Sequence, residues 1–383
     1  MRDSQRDHWI LGDSTGRRVA DYKLAAQSMG MPTPKCIDWI ELIQGGVSVL
    51  DRLPTDCRLR IDSFGERDDV LAGLICLGGG VVTPLRGEIK SLDYQHAGLC
   101  KLLSSLSQWR SNRGDVVFDQ APGDIATMFD KWETHKRVLS HRPRTFLVSH
   151  EGDRPLTSLP EDVWGLIEKI AGNFAGRVFI KPRYASSASG VCCLRVSRNQ
   201  YQLIAPIELA RIAGSPQLFN SLQMRCFTRL DDIHDILRVL LPQGMIVEEA
   251  INKARVDGDR FDLRIVVIGG HADHVVVRQS PWPITNLHLG NQRGSIDAVA
   301  RAVGPKKLDA CRELAIHVAN QFPESLYCGV DVLLPRNGEP LVCEANAFGD
   351  FLPRIFANGR SVYQAILEAG QRRTGALRAE ALA

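Results

Sequence analysis

"YCGVDVLLPRNGEPLVCEANAFGD" (residues 327–350) reads as two apolar strands joined through Asn337-Gly338, with an aspartate and a glutamate where core strands ordinarily carry neither. Asn-Gly between apolar runs is the strongest short-range signal for a two-residue β-turn. With the turn centred there, Arg336 pairs with Glu339, Leu334 with Leu341, and Asp331 falls directly opposite Glu344. Directly opposed residues bring their Cβ atoms to roughly 4.5–5.5 Å, where like charges repel. Side chains alternate, so Asn346 lies on the same side as Glu344. Val330, Val332, Leu334, Leu341 and Cys343 form one apolar face, and Leu333 and Val342 belong to the other. Two opposed carboxylates beside an amide oxygen suit a hard divalent cation, which takes oxygen ligands. The alternative is an edge hairpin with two solvated acids at its open end.

At 383 residues the chain is long enough for two or three domains, each with its own core. A hydrophobic content of 44% and a charged content of 24% are those of an ordinary globular protein. The net charge of +3, without a dense Lys/Arg tract, makes no case for nucleic acid. Ten cysteines include no C-x-x-C pair, which points to reduced thiols in a cytoplasm rather than a zinc ribbon or a disulfide framework. No apolar segment follows "MRDSQRDHW", so no signal peptide is read. The longest apolar run, around Val70 to Val82, is broken by glycines and too short to span a membrane.

Strand-like "HWILGD" (8–13), helix-like "RRVADYKLAAQSMG" (17–30) and extended "PTPKCIDW" suggest a small α/β domain over residues 1–115. Its "RIDSFGERDD" (60–69) reads as a loop and "AGLCKLLSSLSQW" (97–109) as a helix. A central part, 116–244, carries a helix within 121–141, a strand at 144–149, a punctuated helix over 158–176, and strands at 177–184 and 190–196. A third part, 245–370, holds several hairpins and one helix (307–321), and 371–383 reads as a loose tail.

"FIKPRYASSASGV" (179–191) sets Lys181 at a strand end before Ser186, Ser187, Ala188, Ser189 and Gly190. Small residues let backbone N–H groups approach a phosphate, and a lysine adds a point charge; a serine-rich hairpin loop is the other reading. "MIVEEAI" (245–251) ends a strand in Glu248 and Glu249, which suit an adenine amino group or are plain surface acids. In "RFDLRIVVIGGHADHVVVRQS" (260–280), turning at Gly269-Gly270, Asp262 and Arg264 share a face and Arg278 closes the second strand. Inward arginines are costly unless paired, so they await an anionic ligand or form an ion pair with Asp262. "SPWPITNLHLGNQRG" (280–294), with Asn286, His288, Asn291 and Arg293, reads as a loop over a site.

In order, these segments resemble the ATP-grasp superfamily, which holds ATP between two α+β subdomains, over roughly residues 125 to 355. The elements closest to it resemble the ribosomal-protein-S6 glutamate ligase and glutathione synthetase branch. The resemblance implies an α+β, ATP-grasp fold preceded by a small α/β domain. It implies that Asp331, Glu344 and Asn346 hold two Mg2+ on the triphosphate, with Mn2+ as the alternative ion. Lys131 of "DKWETHKRVL" and Lys181 would contact phosphates, under a loop that includes Ser187, Ser189 and Gly190. Glu248 and Glu249 would lie on the hinge strand, Glu249 at the adenine amino group, with Ala250 and Ile251 offering backbone. Asp262 matches the ribose position, and Arg264, Arg278 and Asn286 match residues around the γ-phosphate and the acyl-phosphate. One departure bears on the acceptor site: where relatives continue with a proline-glycine turn, this chain reads Ala347-Phe348-Gly349-Asp350.

The implied activity is ligation of an unidentified carboxylate, a small metabolite or a peptide, to a nucleophile, usually an amine, through an acyl-phosphate. Phosphoryl transfer needs positioning and charge neutralisation more than covalent help from the protein. The competing readings are an ATP-grasp phosphotransferase and a nucleotide-binding regulatory protein without turnover. Arg60, Asp62 and Ser63 of the first domain are candidate contacts to the carboxylate substrate, a surface loop being the other account. Relatives are often dimers or tetramers, so a homo-oligomer is an expectation of the resemblance.

Overall fold

The first strands, β1 (His8–Gly12), β2 (Lys35–Asp38), β3 (Arg58–Ile61) and β4 (Val117–Phe118), lie parallel in the order β2-β1-β3-β4. Parallel neighbours need crossover connections, which α1 (Arg17–Ser28), α2 (Trp39–Gly45), α3 (Asp68–Leu77) and α4 (Leu92–Ser111) supply. An aspartate stands at or just past the carboxyl end of each strand: Asp13, Asp38, Asp62 and Asp119. The computed structural model describes residues 7–148, 176–197, 200–348 and 354–382. The helix expected over 158–176 therefore falls almost wholly outside the described residues.

The single helix expected within 121–141 is two, α5 (Pro122–Phe129) and α6 (Lys131–Arg137). Asp130 breaks the run because its side chain caps α6, accepting from the backbone of Trp132 and Glu133. A second, antiparallel sheet has the order β5-β10-β6-β7-β8-β9. Its strands are β5 (Thr145–Val148), β6 (Arg177–Pro182), β7 (Cys192–Ser197), β8 (Gln200–Ile212), β9 (Ser215–Phe227) and β10 (Met245–Glu249). The long β8–β9 hairpin was not read in the sequence, and neither was α7 (Leu230–Leu240). That helix buries Ile233, Ile236, Leu237 and Leu240 at helical spacing in one cluster with Leu203, Ala205 and Leu218 of the hairpin.

A third sheet runs β14-β13-β12-β15-β16, with β11 (Arg255–Val256) pairing on β12 (Asp259–Ile268). β13 (His271–Ser280) follows through Gly269 and Gly270, whose φ values of +54° and +84° are those a tight hairpin turn requires. β14 (Gln292–Gly294) edges the sheet, and two helices follow where one was expected: α8 (Ile296–Val303) and α9 (Pro305–Ala319). Then come β15 (Tyr327–Leu333), β16 (Leu341–Asn346), the short pair β17 (Phe356–Ala357) and β18 (Arg360–Ser361), and α10 (Val362–Leu382). Of the tail expected to be loose at 371–383, residues 371–382 form the end of α10, where Arg373 donates to Glu324 O at 2.9 Å. Leu59 and Ile61 of the first sheet share one buried cluster with Ile265 and Val330 of the third. Among the described residues no helix is long and apolar enough to cross a membrane.

Candidate functional site

A cavity of about 320 Å3 opens between the second and third sheets, closed on one side by the loop after β3. The hairpin sets its floor. Asp331 faces Glu344 and Gly329 faces Asn346, the register expected at the open end. Beyond that point the register slips, and Val332 pairs with Val342 and Leu333 with Leu341. The tight Asn337-Gly338 turn is not formed. The connection is longer, with Pro335 bridging to Lys253 and Arg336 N donating to Asn252 O at 2.8 Å. The slip leaves Cys343 unpaired, as in a β-bulge, which re-aims a side chain. Cys343, expected on the far apolar face, thus lines the cavity beside Glu344.

Asp331 and Glu344, the acids on the paired strands, each have a cation. Arg264, directly opposite Asp331 across β12–β15, grips it through Nε and Nη2, and Arg278 Nη2 reaches the same carboxylate at 3.0 Å. Lys131 Nζ stands 3.2 Å from Glu344 Oε1. Asn346 Nδ2 donates to Gly329 O at 3.3 Å, which commits the amide nitrogen and leaves the oxygen as the atom that could meet a cation.

The ion pair weighed for the glycine-turn hairpin is present and larger than expected. Asp262 faces Arg278 in the β12–β13 register and accepts its Nε at 2.6 Å. Lys253 Nζ, at 3.0 Å, and the Thr285 hydroxyl take the other oxygen. Burial pushes this carboxyl upward, but the charges of Arg278 and Lys253 outweigh it and hold Asp262 well below the usual carboxylate range. Three donors thus occupy Asp262, as three occupy Asp331, and each carboxylate, with about four acceptor positions, keeps one more while lining the cavity. Lys253 was missed because its segment reads as a linker between strands; only its pairing at depth marks it.

On the opposite wall, Lys181 faces Ile246 and Glu248 faces Phe179 across β6–β10, so the lysine and the acid project from one face. Lys181 Nζ lies 2.5 Å from Glu248 Oε1 and 3.4 Å from Cys343 Sγ. Burial works to lower the Lys181 pKa, but the neighbouring Cys343 and Glu248 keep the ammonium above its ordinary value. The Cys343 thiol is pushed up to about 12, chiefly by burial. Glu248 is the buried acid of the hinge pair, whereas Glu249, the residue expected at the base, pairs with Arg144 at 3.0 Å while still lining the cavity.

The small-residue loop curls over this wall, with Ser187 and Ala188 at φ +55° and +62°. Ser187 lines the cavity, but Ser189 and Gly190 do not. Ser189 N is turned back to Ser186 O, and Gly190 sits where a Cβ would meet Pro182 Cγ at 2.7 Å. The loop is tied to Lys131 twice: Lys131 N donates to Arg183 O, and Lys131 Nζ to Ala185 O. Ile251 lines the cavity, whereas Ala250 faces a groove on the outer side of the hinge. Asn286 lines the cavity and caps the short turn 287–289, accepting from His288 N at 3.0 Å.

Of the first-domain candidates only Ser63 reaches the cavity. Arg60 is fully buried, 3.1 Å from Asp62 and packed against Tyr22 and Tyr327. The cation that does reach it is Arg18 of α1, which donates to Asp62 Oδ1 at 2.6 Å and to Phe348 O at 2.5 Å. Two carboxylates and an amide oxygen at the hairpin are hard donors that leave positions for water and phosphate oxygens, a set that fits Mg2+.

The sequence model for YheC/D-like ATP-grasp proteins matches residues 126–351, more than half of the chain. No curated protein matches. The D-cycloserine synthetase DcsG is similar in structure, with a TM-score of 0.53 at 12% identity, over 96% of this chain and 99% of that one. The ATP-grasp ligase PsnB, solved with a minimal precursor, Mg and ADP, gives 0.51 at 13% over 97% and 100%. The macrocyclase MdnC from Microcystis aeruginosa MRC, bound with precursor peptide MdnA, gives 0.50 at 13% over 94% and 98%. At these identities the likeness speaks for the fold alone, which is the ATP-grasp fold. By the match over its own sequence, the chain belongs to the YheC/D-like ATP-grasp family.

Proposed function

We propose that the protein is an ATP-dependent carboxylate–amine ligase working through an acyl-phosphate. The observation that carries this reading is the convergence of Lys131, Lys181, Arg264 and Arg278 on one cavity with Asp331, Glu344 and Asn346. ATP brings about four negative charges near neutral pH, and catalysis of its transfer rests on preplaced charge in a site drier than water. Lys131 and Lys181 bind the phosphates under the loop that contains Ser187, and Glu248 and Ile251 border the base. Arg278 and Arg264 hold the transferring phosphoryl group, with Asn286 at its edge. Asp331, Glu344 and Asn346 would hold Mg2+, two ions in this reading, which neutralises phosphate charge when bound.

A substrate carboxylate oxygen attacks the γ-phosphorus and ADP leaves with the bridging oxygen. The amine then adds to the acyl carbon and inorganic phosphate departs. Arg18 and Ser63, from the first domain, border the end of the cavity where the carboxylate substrate enters. Among the similar structures the ligase PsnB is solved with a minimal precursor and the macrocyclase MdnC with a precursor peptide, which keeps a peptide alongside a small metabolite as the substrate. The motif likeness to the glutamate-adding and glutathione-forming branch favours an amine as nucleophile. Residues 1–115, 116–244 and 245–370 act as a substrate-side domain and two gripping subdomains, in a cytoplasmic setting.

The test is a screen of carboxylates and amines for phosphate release, with hydroxylamine present as a trap. A hydroxamate that forms only with ATP and a carboxylate supports the ligase. Acceptor-dependent phosphorylation without any trappable acyl-phosphate would instead establish the phosphotransferase.

A further inference from the structure

Behind the hinge lies a second depression, an open groove of about 950 Å3. Arg177 at the start of β6, Arg195 near the end of β7 and Arg336 on the β15–β16 connection line it. Glu249 and Ile251 line both this groove and the inner cavity, so the hinge segment is the partition between them.

The two spaces differ in how their cations are matched. In the inner cavity Lys131, Lys181, Lys253, Arg264 and Arg278 each have a carboxylate partner. In the groove, Arg177, Arg195 and Arg336 form no ion pair among the described residues. Of the two acids that line it, Glu249 is engaged by Arg144, and Glu339 is exposed on the connection. Arg177 and Arg195 also stand directly opposite each other in the β6–β7 register, and like charges so placed repel. The excess reaches further: the Arg260 pKa is lowered by burial first, then by the charges of Arg255 and Arg177. Opposed guanidinium groups are stabilised by a shared oxyanion, whose oxygens each planar guanidinium fork binds in pairs.

We propose that this outer groove binds a multivalent oxyanion, phosphate- or carboxylate-bearing, held by Arg177 and Arg195 of the second sheet and Arg336 of the third. An anion spanning these residues ties together the two halves that close on the inner cavity. It changes nucleotide affinity through the shared hinge segment, and by linkage the nucleotide changes anion affinity by the same factor. The binding claim stands by itself; the coupling rests on the nucleotide reading above.

The experiment is calorimetric titration of the full chain with tripolyphosphate and, separately, with tri-glutamate. It compares wild type with Arg177→Gln/Arg195→Gln, Arg336→Gln and Lys131→Met. At least one anion is expected to bind, about tenfold more weakly in the double variant and in Arg336→Gln, as the loss of a charge-assisted bond implies. Its affinity is expected to be unchanged in Lys131→Met, and which anion binds identifies the chemistry. Arg336 lies on an exposed connection, so its variant keeps the test open should the double variant fail to fold. No binding of either anion at millimolar concentration overturns the proposal, as does binding that the arginine variants leave intact and Lys131→Met abolishes. In a further titration, anion binding that persists while MgADP fails to bind would remove the nucleotide reading and leave the groove standing.

Discussion

Lys181 Nζ touches Glu248 Oε1 at 2.5 Å and Cys343 Sγ at 3.4 Å, so strands from two sheets meet through one ammonium group. Replacing it with methionine keeps the length and removes the charge. Lys181→Met is expected to lower kcat by roughly 10²–10³-fold, the cost of one preplaced donor. Steady-state phosphate release measures it. A loss below tenfold would mean that this lysine only holds Glu248.

Cys343 shares that contact, and burial pushes its thiol up to about 12. The thiolate is the nucleophile, so a raised pKa slows alkylation. At pH 8, Cys343 is expected to react with iodoacetamide far more slowly than the exposed Cys76 and Cys226. Peptide mapping after timed labelling would show this, and labelling of Cys343 as fast as of Cys76 would contradict the buried contact.

Three histidines give the pH dependence of stability a direction. Burial lowers the pKa of His96 and His135 from 6.5 to about 4, and holds His8 well below 6.5. The unfolded chain takes up these protons below 6.5 and the folded chain does not, so stability falls as pH drops from 6.5 toward about 4. Asp62 and Asp262, held below their ordinary 3.8, add their own loss at still lower pH. Thermal unfolding across this range is expected to show Tm falling steadily from pH 6.5 downward. A flat Tm to pH 4.5 would show that these imidazoles are solvated.

Gly190 tests the loop. Its φ of +67° and the 2.7 Å approach of a built Cβ to Pro182 Cγ both exclude a side chain without strain. Gly190→Ala is expected to cost about 1–2 kcal/mol from the left-handed backbone alone. Nucleotide affinity should fall with it, because Ser187 and the Lys131–Ala185 contact belong to the same loop. Unfolding and nucleotide titration of the variant read both effects.

The hairpin acids, Lys181 and the glycine-turn arginines were legible because each is a charged residue in or at the end of an apolar run, which only pairing or a ligand explains; Lys131, in a charged stretch, was legible only through the family resemblance. The Asp331–Glu344 register survived an error in the turn: the bulge at Cys343 lies between that pair and the connection. The bulge itself carries no sequence signal, so Cys343 went to the wrong face. Lys253 was missed because its segment reads as a linker, although its partner Asp262 is near in sequence; Arg18 was missed because Asp62 and Phe348 are distant. Arg60 misled for the opposite reason. It sits in a charged, loop-like stretch, yet β3 carries it into the core. The β8–β9 hairpin turns at Ala213-Gly214, without an Asn-Gly or Gly-Gly pair to mark it, and the helix after it carries its acids on the face opposite Ile233, Ile236, Leu237 and Leu240, so that helix sets no charge within its apolar face.

In the proposed function, Glu344 and its neighbours complete a magnesium-nucleotide site. Thermal unfolding of wild type and Glu344→Ala, each with MgADP, with ADP and chelator, and without nucleotide, tests it most directly. A ligand at 100 times its Kd stabilises by about 2.7 kcal/mol, a shift of a few degrees for a chain of this size. Wild type is expected to show a Mg2+-dependent rise in Tm that Glu344→Ala loses. No rise with any nucleotide, or an equal rise in the variant, would contradict it.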